Sequence, residues 1–139
     1  MDSEQAPAKP PMPLRNDDDV VRLRTEVRQR CIELGLSLVE QTKVVTAASE
    51  LARNTLRHGG GGEAIVQIVI NGSVRGVRMA FADKGPGIPD IALALTDGYT
   101  SGGGLGLGLG GAKRLVDDFD LQTTVGAGTV VTITKWKRF

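Results

Sequence analysis

The chain has 139 residues, a length that fits one domain with a single hydrophobic core. Hydrophobic residues make up 40% of it and charged residues 24%, which is ordinary for a globular protein. The formal net charge of +1 favours neither a nucleic-acid partner nor an anionic membrane surface. One cysteine excludes an internal disulfide, and one histidine excludes zinc sites built from Cys/His pairs. Because no apolar stretch suits a signal peptide or a membrane span, we expect a cytoplasmic, reducing environment.

A proline-rich segment comes first and is followed by the signals of a helix. Residues 1–13 hold four of the six prolines, so we predict a disordered tail there and a domain over 14–139. A short leading strand over 12–15 is the alternative for the end of this segment. Asn16 and the aspartates behind it suit a helix N-terminus, and Gly35 suits its C-cap. Between them apolar residues repeat at helical spacing, namely Val20, Leu23, Val27, Cys31 and Leu34.

A second helix and a pair of strands follow. Ser37 and Glu40 form a capping box, which predicts a longer helix that ends at the glycine run 59–62. Residues 64–70 are rich in Ile and Val, and Asn71-Gly72 predicts a hairpin turn. Apolar and other residues then alternate over 77–82, so this second strand ends at Asp83.

The last third of the chain contains further helices and a second hairpin. Residues 90–97 predict a short helix, 98–107 a flexible loop and 108–119 another helix. Strands over 121–125 and 129–136 are predicted to pair across the turn at 126–128. Strands joined by hairpins, with helices on one face, predict a two-layer α+β sandwich around a mixed, mainly antiparallel sheet.

Glu50 and Asn54 lie four residues apart on the second helix and therefore face the same way. A solvated polar stripe is the simplest explanation of such a pair. The alternative is chemical: the Asn54 amide oxygen would hold Mg²⁺, a cation that prefers oxygen ligands and phosphates. Glu50, one turn earlier, would then orient or deprotonate an attacking hydroxyl.

Asp83 ends a predicted strand and opens the segment DKGPGI at 83–88. An Asp followed by glycines is common turn chemistry. An ionised Asp can equally accept a hydrogen bond from an exocyclic amine such as that of adenine. Gly85 and Gly87 would let a ring approach the backbone closely. Thr129 follows a glycine and would either reach a nucleotide through its hydroxyl or simply favour a strand.

The glycine-rich string GGGLGLGLGG covers residues 102–111 and leads into a helix. It contains the pattern of a dinucleotide fingerprint, but that motif needs a strand directly before it, and 97–101 is loop-like. No phosphate-binding P-loop motif is present either. A plain flexible loop is one explanation, although the leucines at 105, 107 and 109 are unusual for a solvated linker. The other is a lid whose backbone amides close over phosphates.

Taken in order, the three motifs offer sites for a metal ion, an adenine ring and phosphates, which together predict an ATP pocket. Other polar residues have less specific expected roles. His58 is expected to support or pack rather than to accept a phosphoryl group. The basic residues Lys135, Lys137 and Arg138 are explained by a solvated C-terminus at least as well as by a docking site.

The three motifs resemble the N, G1 and G2 boxes of the GHKL ATP-binding superfamily. ELARN at 50–54, DKGPGI at 83–88, the glycine string and TKW at 134–136 are similar to the switch serine/threonine kinases of the RsbT type, within the bacterial anti-sigma regulatory branch. The similarity covers roughly residues 12–139. It implies the GHKL fold, ATP and Mg²⁺ as cofactors, and phosphoryl transfer to a protein.

The resemblance also implies a role for particular residues. Glu50 matches the catalytic base and Asn54 the Mg²⁺ ligand, while Asp83, with Gly85 and Gly87, matches the adenine site. The lid glycines around the phosphates match Gly104, Gly106 and Gly108.

The resemblance leaves the partner open. The leading hypothesis is a kinase that phosphorylates a STAS-domain antagonist and, when free, activates a partner such as a PP2C-type phosphatase. The second hypothesis is an anti-sigma factor that sequesters a sigma factor, and a weaker third is a nucleotide-gated module without transfer.

Overall fold

The computed structural model describes residues 10–96 and 108–138, in which four helices cover one face of a five-stranded sheet. The strand order is β1-β2-β3-β5-β4, and all four neighbouring pairs are antiparallel. This confirms the predicted α+β class and the mainly antiparallel sheet. The strands are β1 (Met12–Leu14), β2 (Gly62–Asn71), β3 (Val74–Asp83), β4 (Asp118–Thr124) and β5 (Gly128–Trp136), and the helices are α1 (Asp17–Leu34), α2 (Leu38–Arg57), α3 (Ile91–Ala94) and α4 (Gly108–Arg114).

The two long helices begin and end where their capping residues predict. The Asn16 side chain accepts a hydrogen bond from the Asp19 N–H, and Gly35 ends α1 with a φ of 78°. The Ser37 side chain accepts from the Glu40 N–H at the start of α2. Because these signals act within one turn of chain, the sequence is sufficient to predict them.

The core lies between the helices and one face of the sheet. Alternate residues of β3, which are Val77, Met79 and Phe81, are buried against α1 and α2. Asp83 continues this alternation at the end of β3 and so points to the helix side of the sheet. Among the described residues no helix is both long and apolar enough to cross a membrane.

Several predicted boundaries were wrong near the hairpins. The first turn consists of Gly72 and Ser73, since Asn71 pairs with Val74. The helix predicted over 90–97 is a single turn, α3, capped by Asp90. Strand β1 confirms the alternative of a short leading strand over 12–15, so the sheet includes the last two residues of the predicted tail.

The helix predicted over 108–119 was also too long, because α4 ends at Arg114. The Asp117 N–H donates to the Thr134 carbonyl, and the Asp117 carboxylate accepts from the Trp136 N–H at 2.7 Å. Asp118 then pairs with Thr134 in the ladder between β4 and β5. These bonds to β5 draw the chain out of the helix three residues before the predicted strand.

The basic C-terminal residues are held by acidic and backbone groups, so a solvated cluster describes the exposed Arg138 but not Lys135. The Lys135 ammonium lies 2.7 Å from a Glu40 oxygen and 3.5 Å from an Asp117 oxygen, and its side chain is only 12% exposed. Arg138 also pairs with Asp117, and Lys137 donates to the Gly35 carbonyl. The end of β5 is thereby joined to the start of α2 and to the connection before β4.

These ion pairs predict a loss of stability in acid. Burial alone would raise the pKa of Asp117, but the Trp136 N–H and the Arg138 and Lys135 charges hold that pKa below its usual value. The Lys135 hydrogen bond likewise lowers the pKa of Glu40. The pKa of Asp19 falls to about 2 because the Arg15 N–H and the Arg22 guanidinium bind its carboxylate. Carboxylates with depressed pKa values stabilise the fold above their unfolded-state pKa, about 4, and lose that contribution as the pH falls through the folded value.

We therefore expect the free energy of unfolding to decrease as the pH falls from about 4 to 2. Asp117→Asn should lower stability at pH 7 by about 1–3 kcal/mol, because the charged bonds to Trp136 and Arg138 are weakened. The same substitution should flatten part of the acid slope. Urea unfolding at several pH values measures both effects. Asp120→Asn, at an exposed position of β4, is the control that makes the same change in charge. An acid slope identical in wild type and Asp117→Asn would contradict this assignment.

Candidate nucleotide site

The middle of α2 presents Glu50 and Asn54 at the edge of its buried face. Their neighbours Ser49 and Thr55 are buried, and both hydroxyls donate to backbone carbonyls one turn earlier in α2. Glu50 and Asn54 are half-buried and lie on one side of the helix, as their spacing predicts. The helix therefore presents a carboxylate and a carboxamide beside each other at the rim of the core.

Both oxygens of the Glu50 carboxylate have partners. Oε1 accepts a hydrogen bond from the Gly108 N–H at 3.3 Å, and Oε2 pairs with the Arg53 guanidinium at 3.0 Å. Gly108 is the first residue of α4 and has a φ of 72°, a conformation that favours glycine. The helix that starts within the glycine string thus donates its first backbone N–H to the candidate base.

Asn54 offers an oxygen that suits a hard cation. Its backbone carbonyl accepts from the His58 and Gly59 amides at the end of α2, while the carboxamide has no recorded hydrogen bond to any described residue. Within 10–96 and 108–138, no group of three His, Cys, Asp or Glu side chains could hold a metal. One protein oxygen with the remaining ligands supplied by phosphates and water fits Mg²⁺, which retains much of its hydration when bound.

Asp83 lies at the end of β3, half-buried, with one oxygen available. Oδ1 accepts from the Gly85 N–H at 2.9 Å, which fixes the carboxylate against the turn. None of the residues that the structure describes donates to Oδ2. An ionised carboxylate with one oxygen fixed and the other unused can accept a hydrogen bond from an exocyclic amine.

Gly59 is a site residue that the sequence analysis did not identify. A Cβ on Gly59 would lie 2.3 Å from the Asp83 Cβ, so only glycine permits α2 to end against this carboxylate. A Cβ on Gly85 would lie 2.7 Å from the Gly59 Cα. The run 59–62 predicts the end of the helix, but four glycines leading into a strand also indicate a close crossing of two segments.

Thr129 is buried beside Asp83 on the neighbouring strand. Asp83 and Thr129 are Cα partners in the ladder between β3 and β5. The Thr129 hydroxyl lies 2.8 Å from the hydroxyl of Thr123, which also accepts from the Ile88 N–H at 2.9 Å. This chain of bonds ties the 83–88 segment to the second hairpin. The sequence analysis did not predict this role of Thr123. Its one indication in the sequence is a threonine at a position that faces the inner side of β4.

The remaining predicted site residues have different outcomes. Gly87 has a φ of 80° and packs against the Thr124 backbone. Backbone conformation and close packing therefore explain why this residue is a glycine. Gly104 and Gly106, with the predicted loop over 98–107, lie outside the described residues. His58 caps the C-terminal end of α2 and is exposed. Cys31 is fully buried in α1, where burial raises the pKa of its thiol to about 11.

A match to a protein family shows which class of protein this chain belongs to. The family described as histidine kinase-, DNA gyrase B- and HSP90-like ATPase matches residues 34–138. The chain belongs to this family of ATPases. The match extends from the end of α1 through β5 and so includes Glu50, Asn54 and Asp83. Membership of the family makes ATP the nucleotide for the pocket.

Individual relatives agree with this assignment. The chain is 42% identical to the serine/threonine-protein kinase RsbT of Bacillus subtilis (strain 168), over 86% of the chain and 90% of the relative. It is 31% identical to an anti-sigma F factor of Clostridium novyi (strain NT), over 74% and 76%. The solved RsbU and RsbW domains of Rv1364c from Mycobacterium tuberculosis share the fold, with a TM-score of 0.62 at 21% identity. That alignment covers 94% of this chain and 32% of the solved one.

Proposed function

We propose that this chain is an ATP-dependent serine/threonine protein kinase that acts on a STAS-domain antagonist and switches between protein partners. The kinase activity is supported by the 42% identity to RsbT over nearly the whole of both chains. The single structural observation that carries the proposal is the placement of Glu50 and Asn54 on one side of α2, whose end packs against Asp83.

Each residue has a distinct role in this proposal. The Asp83 carboxylate would bind the exocyclic amine of adenine, and the Asn54 oxygen would hold Mg²⁺, whose charge would neutralise that of the phosphates. Glu50 accepts the proton of the substrate hydroxyl. Phosphoryl transfer needs mainly positioning and charge neutralisation, so these few groups on two rigid elements are sufficient. Gly104, Gly106 and Gly108 are proposed to present amides to the phosphates, and Thr129 to support the nucleotide from β5.

The proposed partner switch is electrostatic. A substrate hydroxyl must lie beside Glu50, and phosphorylation adds close to two negative charges at the same place. The product is then repelled by the Glu50 carboxylate, which releases the kinase for a second partner such as a PP2C-type phosphatase. We propose a cytoplasmic location, which the use of ATP and protein partners of this kind would support.

Purified STAS-domain proteins from the same organism test this proposal directly. We expect labelled phosphate from [γ-³²P]ATP to be transferred to a serine or threonine of one of them. An Asp at the acceptor position should bind the kinase about tenfold or more weakly than Ser, equivalent to about 1.4 kcal/mol. The Ala form is the control, because it lacks both the hydroxyl and the charge. Equal affinity for the Ser, Asp and Ala forms would rule out the switch.

Sequestration of a sigma factor is the second candidate, favoured by the 31% identity to an anti-sigma F factor. Co-purification from native lysate distinguishes the two candidates. Recovery of STAS and phosphatase proteins supports the switch kinase, whereas recovery of a sigma factor supports the alternative.

A further inference from the structure

Arg53 forms an ion pair with the candidate base. Its guanidinium lies 3.0 Å from Glu50 Oε2, three residues along the same helix. The Glu50 side chain is 11% exposed, whereas that of Arg53 is 41% exposed. The pair thus joins a nearly buried carboxylate to a cation at the surface.

Ion pairs between neighbouring turns of an exposed helix contribute little to stability. The Glu50 pair differs because its carboxylate lies at the rim of the core and its two oxygens have different partners. Oε2 is bound by a guanidinium, and Oε1 by the Gly108 N–H at the longer distance of 3.3 Å. A guanidinium has a planar, fixed array of donors, so it restricts the orientation of the carboxylate that it binds.

We propose that Arg53 is a positioning residue for phosphoryl transfer: it holds Glu50 through Oε2 and so assigns Oε1 as the oxygen that takes the proton. This inference rests on the proposed function. In the step, the substrate O–H bond breaks and its proton passes to Oε1. The hydroxyl oxygen bonds to the γ-phosphorus, and the bond from that phosphorus to the bridging oxygen breaks, leaving its electron pair on ADP. The Gly108 N–H also donates to Oε1 in this structure, and a carboxylate oxygen can accept a second hydrogen bond, here from the substrate hydroxyl.

Substitution of Arg53 tests the assignment. Arg53→Met retains the apolar stem and removes the donors, and we expect kcat to fall about tenfold or more. The KM for the protein substrate and the Kd for Mg-ATP should change less than twofold, since Arg53 is assigned no contact with either. Arg53→Lys, which restores the charge, should recover part of the rate.

Lys43→Met is the matched control. Lys43 pairs with Glu40 at the same three-residue spacing on α2, at 3.5 Å, and should not alter kcat. Thermal unfolding of each variant identifies any loss of fold, and Arg53→Gln repeats the test if the Met variant is unstable.

Hydrolysis of Mg-ATP by the purified chain is a second assay, in which water takes the place of the hydroxyl and no protein substrate is needed.

A double-mutant cycle separates this inference from the proposed function. In a Glu50→Gln background, Arg53→Met should cause no further loss of rate, because the base that Arg53 positions is gone. An equal loss in both backgrounds, or a wild-type kcat in Arg53→Met alone, would overturn the role of Arg53 while leaving the kinase assignment intact. Wild-type transfer in Glu50→Gln alone would instead overturn the proposed base and with it this inference. If no STAS protein is phosphorylated, the hydrolysis assay still decides the role of Arg53.

Discussion

Glu50→Gln should lower the rate of phosphoryl transfer by about 10²–10⁴-fold, the usual contribution of a positioned general base. Glutamine has nearly the same shape, and its amide oxygen can still accept the Gly108 N–H. It cannot take up the proton of an attacking hydroxyl at neutral pH. Mg-ATP affinity should therefore remain close to wild type, which makes the substitution selective for the chemical step.

Single-turnover transfer of labelled phosphate measures this rate, and calorimetry measures Mg-ATP binding in the same preparation. Glu63→Gln is a suitable control, because Glu63 is an exposed residue of β2 with no assigned role. Transfer at the wild-type rate in Glu50→Gln would show that the carboxylate is not the base. A parallel loss of Mg-ATP binding would show that Glu50 contributes to nucleotide binding rather than to phosphoryl transfer.

Asp83→Ala should weaken ATP binding by about 10–100-fold, since a hydrogen bond to a charged acceptor contributes about 1.5–3 kcal/mol. The substitution removes both the oxygen assigned to adenine and the oxygen that holds the Gly85 N–H. Asp83→Asn separates these effects. Its amide can donate to the carbonyl oxygen of guanine, so the preference for ATP over GTP should decrease in that variant.

Binding of ATP and GTP, titrated by calorimetry with and without Mg²⁺, distinguishes the roles. Asn54→Ala in parallel should weaken binding only when Mg²⁺ is present, whereas Asp83→Ala should weaken it in both conditions. Asp120→Ala, on the exposed side of β4, controls for the loss of a carboxylate. Unchanged affinity in Asp83→Ala would show that the end of β3 is a turn without a binding role.

The two long helices and the inner sides of the strands were predictable from the sequence. Helix caps join residues within one turn, as Asn16 and Asp19 do, and the buried side of β3 follows from simple alternation. The placement of Glu50 and Asn54 on one side of α2 follows from helical geometry alone. Each motif is likewise a short stretch of chain, so the sequence was sufficient to predict an ATP site.

Contacts between distant segments were decided only by the tertiary structure. The sequence does not show that Gly59, just after α2, packs against Asp83, or that Gly108 donates to Glu50 from 58 residues away. It also misled at residues 115–119, where local preference favours a helix but hydrogen bonds to β5 end it at Arg114.

The basic residues near the C-terminus show the same division. Their charge is evident in the sequence, but the burial of Lys135 between Glu40 and Asp117 depends on where α2 and β5 meet. Caps, alternation and helical spacing are set by neighbours along the chain, so the sequence by itself determined the elements and the chemical types in the site. The orientation of each site group depends on packing between segments far apart in the chain, and that packing exists only in the folded domain.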